Sequence, residues 1–312
     1  MGRRTERKLR QLAASKKDIR PSTWDDLHRR HYKVLLCVPF LLALLSLASI
    51  THLYLTTGDF IHRGISLKGG TSYTFPTDRE LDVVGIEDAL TAAFPGEEFT
   101  VRELQSGGSI NALVVETSLR GSEDAFLQEL GGVLGAPPKD FTVEEMGSSL
   151  GDSFFTDLLK TLAFAFLLMG AVVFYYFRRG VPSFAVIFAA MFDIIITLGI
   201  VNLLGVRLSS AGIAAFLMLL GYSIDTDILL TSRVLRRAPG TPIFNAMMDA
   251  MKTGLTMTAA GLTAAIVAFM VSTSPIIQQI MLILIIGLIV DVLTTWMQNA
   301  GLLRWHLERR AA

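Results

Sequence analysis

The chain has 312 residues, of which 51% are hydrophobic and 18% are charged, whereas about 25% of residues are charged in a typical soluble domain. This apolar excess excludes an ordinary soluble protein with a single core and indicates that lipid is the main solvent. The 28 basic and 28 acidic residues give no net charge, but they are unevenly distributed along the chain.

Six segments are apolar and long enough to cross a bilayer as helices, which takes about 20 residues each. In chain order, the predicted spans are Val34–Leu55, Leu158–Phe177, Val181–Leu204, Leu208–Leu230, Gly254–Val271 and Ile276 to about Thr295. The predicted organisation is a basic tail (1–33), a first span (34–55), a polar domain (56–156), a group of five spans (157–303) and a C-terminal tail (304–312).

Basic residues follow alternate spans, on one side of the predicted bundle. Residues 1–33 contain 11 Lys or Arg, and further arginines follow the second, fourth and sixth spans: Arg178, Arg179, Arg233, Arg236, Arg237, Arg304, Arg309 and Arg310. Short cytoplasmic loops are enriched in Lys and Arg, so both termini are predicted to be cytoplasmic and the domain 56–156 extracytoplasmic. The basic tail is predicted to lie near anionic lipid rather than to bind nucleic acid.

The polar domain has an alternating pattern of strands and helices. Residues 57–155 hold 17 acidic and 6 basic residues. Apolar periodicity predicts a strand, helix, strand, strand, helix and strand at Ile65–Phe75, Asp82–Phe94, Phe99–Leu104, Ile110–Thr117, Ser122–Leu134 and Phe141–Met146. Gly107 and Gly108 are predicted to form a turn, and Ser122 to cap a helix.

This order of elements is typical of a ferredoxin-like α+β sandwich. The predicted fold is therefore an all-α six-helix transmembrane bundle with an inserted ferredoxin-like α+β extracytoplasmic domain. The domain has no His/Cys cluster, nucleophile elbow or phosphate-binding loop, which favours a binding or coupling module over an enzyme. The sequence predicts no catalytic residue, metal or cofactor.

Four aspartates lie inside the predicted spans: Asp193, Asp225, Asp227 and Asp291. An ionisable group at the bilayer centre costs about 2.5–3.5 kcal/mol on insertion scales, so each is a functional candidate. No Lys or Arg lies at the same depth, and the four carboxylates cannot all be charged in a dry site. They are therefore predicted to be proton-coupling groups.

Asp225 and Asp227 are two positions apart and project about 200° apart on a helix. They cannot serve one pocket, so one is predicted to face the chain's own bundle and the other a partner helix or water. Asp225 is the stronger proton-coupling candidate of the two. Gly221 lies one turn earlier on the same face and permits close helix approach. The chain lacks G-x-x-x-x-G-K-[ST], so an ion gradient is the predicted energy source.

Four segments carry family motifs. Gly64–Gly70 resembles G-I-D-F-x-G-G, and Met146–Gly151 resembles V-G-x-x-[LV]-G. Phe192–Gly199 is similar to H-D-x-x-x-T-L-G, and Gly221–Arg233 is similar to G-Y-S-x-N-D-T-V-V-V-x-D-R. These are motifs of the SecF family of protein-export subunits, in the resistance-nodulation-division (RND) superfamily. The resemblance implies a motif or structural role for six residues, namely Gly64, Gly69, Gly70, Gly221, Tyr222 and Arg233.

The resemblance implies half of a twelve-span RND arrangement, with SecD as the partner. It also implies promotion of unfolded preprotein translocation through a SecYE-type channel, driven by the proton-motive force. The fourth span departs from the bacterial N-D-T pattern, because it reads Asp225-Thr226-Asp227, a form similar to archaeal members. The bacterial carboxylate position is Thr226 here, and Ser66 stands where the first motif has aspartate.

Three alternatives remain open from the sequence. A gradient-independent scaffold of the translocation channel would need no titrating carboxylate. A small-molecule RND exporter would have twelve spans and two outer domains in one chain. An intramembrane aspartyl protease would pair Asp193 with Asp225, but Ser223 replaces the second glycine of its G-x-G-D motif and no P-A-L motif follows.

Overall fold

A computed structural model describes residues 23–79, 81–106, 109–119, 123–135, 140–238, 240–272 and 274–311. Its elements in chain order are α1 Thr23–Thr57, α2 Ile65–Lys68, β1 Gly70–Pro76, α3 Val83–Ala93, β2 Phe99–Ser106, β3 Ser109–Thr117, α4 Glu123–Leu134, β4 Thr142–Met146, α5 Ser148–Phe177, α6 Gly180–Leu203, α7 Ser210–Leu235, α8 Ile243–Val271, α9 Pro275–Leu293, a π-helical segment Thr294–Asn299 and α10 Ala300–Ala311.

Six of the described helices are long and apolar enough to cross a membrane, namely α1, α5, α6, α7, α8 and α9 with its continuation. This confirms the predicted six-helix bundle. Helix α8 begins at Ile243, well before the predicted Gly254. The first residues of α8 include the charged Asp249 and Lys252. A prediction from apolar length therefore begins the span after them. Helices α6 and α7 are the most buried spans, so they form the centre of the bundle.

The domain between α1 and α5 contains a four-stranded antiparallel sheet in the order β2-β3-β1-β4. Its core is apolar and includes Tyr73 and Phe75 from β1, Leu90 from α3, and Phe126 and Leu130 from α4. Both helices therefore cover one face of the sheet. The strand order and the strand–helix–strand–strand–helix–strand sequence confirm the ferredoxin-like fold.

One predicted strand is wrong over its first half. Residues Ile65–Lys68 form the short helix α2, and the strand begins only at Gly70. The chain changes direction at Gly69, between the two elements, and at Gly70, the first residue of β1, because Gly69 has φ 87° and Gly70 has φ 135°, a region that side chains rarely adopt. Leu67 is fully buried among residues at the ends of the spans, and this tertiary burial overrides the alternating pattern. The predicted Gly107–Gly108 turn, the Ser122 cap and the tail residues 1–22 lie outside the described residues.

The domain is joined to the bundle by main-chain hydrogen bonds, at a place that we call the junction (residues 60–70, residues 205–210 and Gln279). Gly64 N donates to Leu208 O at 2.8 Å, and Leu208 N donates to His62 O at 2.7 Å. Ser210 N, at the start of α7, donates to Ser66 Oγ at 2.9 Å. The hydroxyl of Ser66, where the family motif has aspartate, thus binds the first turn of a span.

Two further contacts strengthen the junction. Gln279 of α9 donates through Nε2 to Arg207 O and accepts from Ser209 N at 3.0 Å. On the domain side, Lys68 donates a 2.6 Å hydrogen bond to Glu98. This bond lowers the pKa of Glu98, against the opposing effect of burial. The junction therefore ties the domain to the first residues of α7 and to α9.

Gly151 packs its α-carbon against the glycine-rich loop of the junction. A Cβ at this position would lie 2.9 Å from Gly69 N and 3.2 Å from Leu67 C, which are backbone atoms that cannot rotate away. Two separate family motifs, around Gly64–Gly70 and Met146–Gly151, therefore meet in one contact.

We expect Gly151→Ala to lower the free energy of unfolding by about 1–3 kcal/mol, because the added methyl group overpacks this contact. The matched control is Gly147→Ala in the same motif, where an added Cβ meets nothing within 4 Å. Thermal unfolding of the purified proteins in detergent measures both. Equal stability of the two variants would contradict the packing described here.

Candidate functional site

Three of the four predicted carboxylates lie together inside the bundle, and we call them the carboxylate cluster: Asp193 on α6, Asp227 on α7 and Asp291 on α9. Asp193 is 1% exposed, and Asp227 and Asp291 are 0% exposed. Among the described residues, the buried polar side chains include no lysine or arginine. The cluster is therefore held without a cationic partner.

Asp193 is bound by hydroxyl groups from two other helices. Ser223 of α7 donates to Asp193 Oδ2. Thr294, at the start of the π-helical segment, donates to Asp193 Oδ1. Both oxygens of this carboxyl group therefore have a neutral donor, which is the usual way to compensate a buried polar group when no opposite charge is present.

Asp227 and Asp291 share a single hydroxyl group. Thr295 Oγ1 lies 3.0 Å from Asp227 Oδ1 and 3.0 Å from Asp291 Oδ1. Asn299 Nδ2 donates to Asp227 Oδ1 at 2.7 Å. Thr226 Oγ1 lies 3.1 Å from both oxygens of Asp291. These contacts connect the two carboxyl groups through shared partners on α7 and the π-helical segment.

The hydroxyl of Thr295 carries one proton and can donate to only one carboxylate at a time. The second contact is then a hydrogen bond only if the other carboxyl group carries a proton and donates it to the threonine oxygen. Hydroxyl groups can donate or accept, so this arrangement accommodates a proton on either Asp227 or Asp291. An arginine or lysine in the same place could only donate.

The π-helical segment Thr294–Asn299 supplies three of these partners, namely Thr294, Thr295 and Asn299. Such segments are rare and occur frequently at functional sites. Apolar length predicts an end of the sixth span near Thr295 and gives no sign of this role. One sequence pattern could have indicated the role of this segment. Two polar pairs, Thr294-Thr295 and Gln298-Asn299, follow Asp291 in an otherwise apolar helix.

Asp225 lies apart from the cluster. It is exposed on the outer face of α7, whereas Asp227 is fully buried, as their angular separation on a helix requires. Met218 is 45% exposed and Tyr222 is 49% exposed, and with Gly221 and Asp225 they form a continuous exposed stripe. The pair of Asp193 and Asp225 that an aspartyl protease would require is therefore not brought together.

The remaining motif residues lie at the two ends of the bundle. Gly64, Gly69 and Gly70 belong to the junction, at what we call the domain end. Arg233 is exposed at the opposite end, which we call the basic end, and its Nη1 donates to Asp249 O at 3.3 Å. None of these four residues contacts the cluster through a hydrogen bond or ion pair among those described.

Apolar side chains close the cluster at both ends. Towards the domain end, a buried group includes Phe216, Leu219, Ile283 and Leu284. Towards the basic end, another includes Leu230, Val234, Met247, Trp296 and Leu303. The described residues contain no group of three or more His, Cys, Asp or Glu side chains that could hold a metal ion. The geometry of the site is a set of buried carboxyl groups that share hydroxyl and amide partners.

Comparison with known proteins gives consistent matches. Residues 134–309 match the family described as Protein export membrane protein SecD/SecF, C-terminal. The chain is 35% identical over 292 residues to the Protein-export membrane protein SecF of Methanocaldococcus jannaschii, covering 91% of this chain and 98% of that protein. It is 34% identical over 279 residues to the protein of the same name from Pyrococcus furiosus, covering 89% and 92%.

Two solved structures share the fold. The crystal structure of SecDF from Thermus thermophilus, described as a translocon-associated membrane protein, matches with a TM-score of 0.74 and 18% identity. SecDF in a super-membrane-facing form matches with a TM-score of 0.53 and 21% identity. Each match covers 96% of this chain but only 42% of the solved chain, so this chain spans about two-fifths of those proteins.

Six apolar helices, an inserted ferredoxin-like domain and three buried carboxyl groups define a multi-span membrane protein. The archaeal relatives match nearly from end to end, and they share one name. The chain belongs to the SecF family of protein-export membrane proteins.

We expect Thr295→Val to lower the free energy of unfolding by about 1–3 kcal/mol, because it removes the hydroxyl that bonds to two buried carboxyl groups with little change in side-chain volume. The control is Thr263→Val on α8, an exposed position whose hydroxyl bonds only to Ala259 O of its own helix. That change is expected to stay within about 0.5 kcal/mol of the parent. Chemical denaturation in detergent compares them, and a Thr295→Val protein as stable as the control would contradict the shared contact.

Proposed function

We propose that this chain promotes translocation of unfolded preproteins through a SecYE-type channel, and that it couples this work to the proton-motive force. The carboxylate cluster, with Asp193, Asp227 and Asp291, would bind and release the protons. The single observation that carries the proposal is the hydroxyl of Thr295, placed 3.0 Å from two carboxyl groups in a site where the described residues offer no cation.

The energy available from a gradient is sufficient for such a role. One elementary charge that crosses the membrane potential yields about 2.3 kcal/mol per 100 mV. A proton that neutralises one of three adjacent buried carboxylates changes the balance of charge in a low-dielectric site, where charge interactions are strong. The proposed role is transport without a catalytic residue, metal or cofactor.

We propose that the basic end faces the cytoplasm and that the acidic domain lies outside, where an exported chain emerges. Arginines cluster at the basic end, with Arg233 in the last turn of α7 and Arg236 and Arg237 directly after it. The positive-inside rule favours this orientation. Both termini would then be cytoplasmic, and the arginines would lie at the level of the lipid headgroups.

We propose that SecD covers the exposed stripe on α7. A carboxyl group such as Asp225 would be costly against lipid, and the open surface at Gly221, where an added Cβ meets nothing within 4 Å, allows close approach of another helix. The related solved chains are described as SecDF and are more than twice as long as this one. In this arrangement Asp225 contributes to proton coupling at the interface between the subunits.

The second candidate function is a gradient-independent scaffold of the channel. The observation in its favour is that Asp193 has a hydroxyl partner on each oxygen. A hydroxyl group can accept as well as donate, so one of these partners could accept the proton of a permanently protonated structural carboxyl group. The two candidates differ in whether the carboxyl groups must titrate.

We expect Asp227→Asn or Asp291→Asn to reduce gradient-dependent preprotein export by about tenfold or more, because proton-transfer steps depend on the titrating group. Asparagine keeps the shape of a protonated aspartate but cannot release the proton. Export by cells or membrane vesicles, at matched expression and with the gradient intact or collapsed, measures this. Asp225→Asn, tested in parallel, is expected to lose export as well.

The matched control for this experiment is Asp157→Asn, an exposed residue of α5 that pairs with Lys160 at 3.1 Å. It removes one aspartate outside the cluster and is expected to leave export unchanged. Wild-type export by the Asp227 and Asp291 variants would refute the coupling role. Export that persists when the gradient is collapsed would favour the scaffold.

For the partner, we expect a photo-reactive phenylalanine analogue at Tyr222 to crosslink to SecD in native membranes, because this side chain lies on the exposed stripe. The control position is Leu44, which is 63% exposed on α1, a helix that packs mainly against α6. Mass spectrometry identifies the crosslinked chain. Crosslinking to SecD from Leu44 but not from Tyr222 would show that another face is the interface.

A further inference from the structure

Several fully buried polar atoms beside the cluster have no hydrogen-bond partner within the described protein. They are Asp227 Oδ2, Thr231 Oγ1, Asn299 Oδ1, and both Oε1 and Nε2 of Gln298. The four side chains are each 0% exposed. A buried polar group without a partner is destabilising, so this concentration of such groups requires an explanation.

These groups lie on one side of the cluster. Thr231 is one helical turn after Asp227 on α7, in the direction of the basic end. Gln298 and Asn299 follow Thr294 and Thr295, the direct partners of the cluster, by four residues in the same direction. Asn299 is in contact with Asp227 through its Nδ2, so its free Oδ1 lies beside the carboxyl group.

The opposite side of the cluster is different. Thr197, one turn after Asp193 on α6, is the buried side chain there whose hydroxyl lacks a partner among the described residues. Further along α6, Asn202 Oδ1 also lacks a partner among the described residues, but Asn202 lies at the domain end, where its Nδ2 donates to Phe60 O. The other buried side chains in this direction include the apolar residues Leu219, Ile283 and Leu284. Polar groups capable of binding water are therefore concentrated between the cluster and the basic end.

We propose that Thr231, Gln298 and Asn299 hold a chain of internal water molecules that extends from Asp227 towards the basic end. Buried waters typically make about three hydrogen bonds to groups that have no other partner, and they need a polar site with two to four partners. Hydroxyl and amide groups on α7 and the π-helical segment supply both donors and acceptors. Such a chain passes protons without moving a charged side chain.

This inference rests on the proposed function and assigns it a direction. Protons held by the cluster exchange with the cytoplasmic side through the water chain. The apolar group that contains Val234, Met247 and Leu303 lies beyond Thr231 and closes the chain from bulk water in this conformation. Exchange with the outer side then has to use another route, such as the interface at Asp225.

The test uses infrared spectroscopy on the full chain, with any copurifying subunit, in lipid vesicles. The C=O stretching band of a protonated carboxyl group shifts when its proton is replaced by deuterium. The band of the cluster is identified as the one that Asp227→Asn removes or shifts. Rapid mixing with D₂O then gives the rate at which that carboxyl group exchanges its proton.

We expect Thr231→Val combined with Gln298→Leu to slow this exchange by about tenfold or more, because exchange without the water chain requires local opening of the bundle. The single variant Thr231→Val should slow it in part, whereas Thr231→Ser, which keeps the hydroxyl, should not. Thr197→Val is the matched control, with the same substitution and the same burial on the other side of the cluster, and should exchange like the parent.

The outcomes separate the two proposals. A carboxyl band whose exchange rate is the same in the parent, Thr231→Val and the double variant would overturn the water chain and leave proton coupling intact. Equal slowing in Thr197→Val would overturn the direction that we assign. The absence of any protonated carboxyl band that responds to Asp227→Asn would overturn both the water chain and the proposed proton coupling. Thermal unfolding of each variant confirms that the rates refer to folded protein.

Discussion

The burial of three carboxyl groups without a cation is the constraint on which the rest of the bundle depends. Removing charged groups from water is costly, and here the compensation comes from hydroxyl and amide groups alone. Serine and threonine on α7 and a π-helical segment after α9 provide it. This explains why an otherwise apolar pair of helices carries so many small polar residues at one level. It also explains why the regular α-helix is interrupted where it passes the cluster.

The same helices connect the cluster to the inserted domain. Helix α7 carries Asp227 and begins at Ser210, whose amide is held by Ser66 of the junction. Helix α9 carries Asp291, and its Gln279 binds the loop that precedes α7. A shift of either helix at the level of the carboxylates therefore acts directly on the attachment of the domain. This continuity of backbone and hydrogen bonds is the route by which the proposed protonation steps would act on the inserted domain.

The family motif of the fourth span divides into two functions on opposite faces of one helix. Ser223, Thr226 and Asp227 turn inwards and build the cluster, while Tyr222 and Asp225 turn outwards on the exposed stripe. The short spacing between these residues is therefore a consequence of helical geometry. Half of the motif organises this chain's own interior, and the other half remains available to another subunit. The D-T-D pattern of this chain places one carboxyl group in each half.

The sequence by itself determined the six spans, the ferredoxin-like domain and the family, because apolar length, periodicity and motifs are local properties of the chain. It also determined that Asp225 and Asp227 diverge, since that follows from helical rotation. Tertiary structure alone decided which of the two is buried, because this depends on how α7 packs against α6 and α9. Tertiary packing also makes Ile65–Lys68 a helix where a strand was predicted. It determines which hydroxyl groups bind the carboxylate cluster and where the π-helical segment forms. Those features arise from contacts between residues far apart in the chain, which no local pattern records.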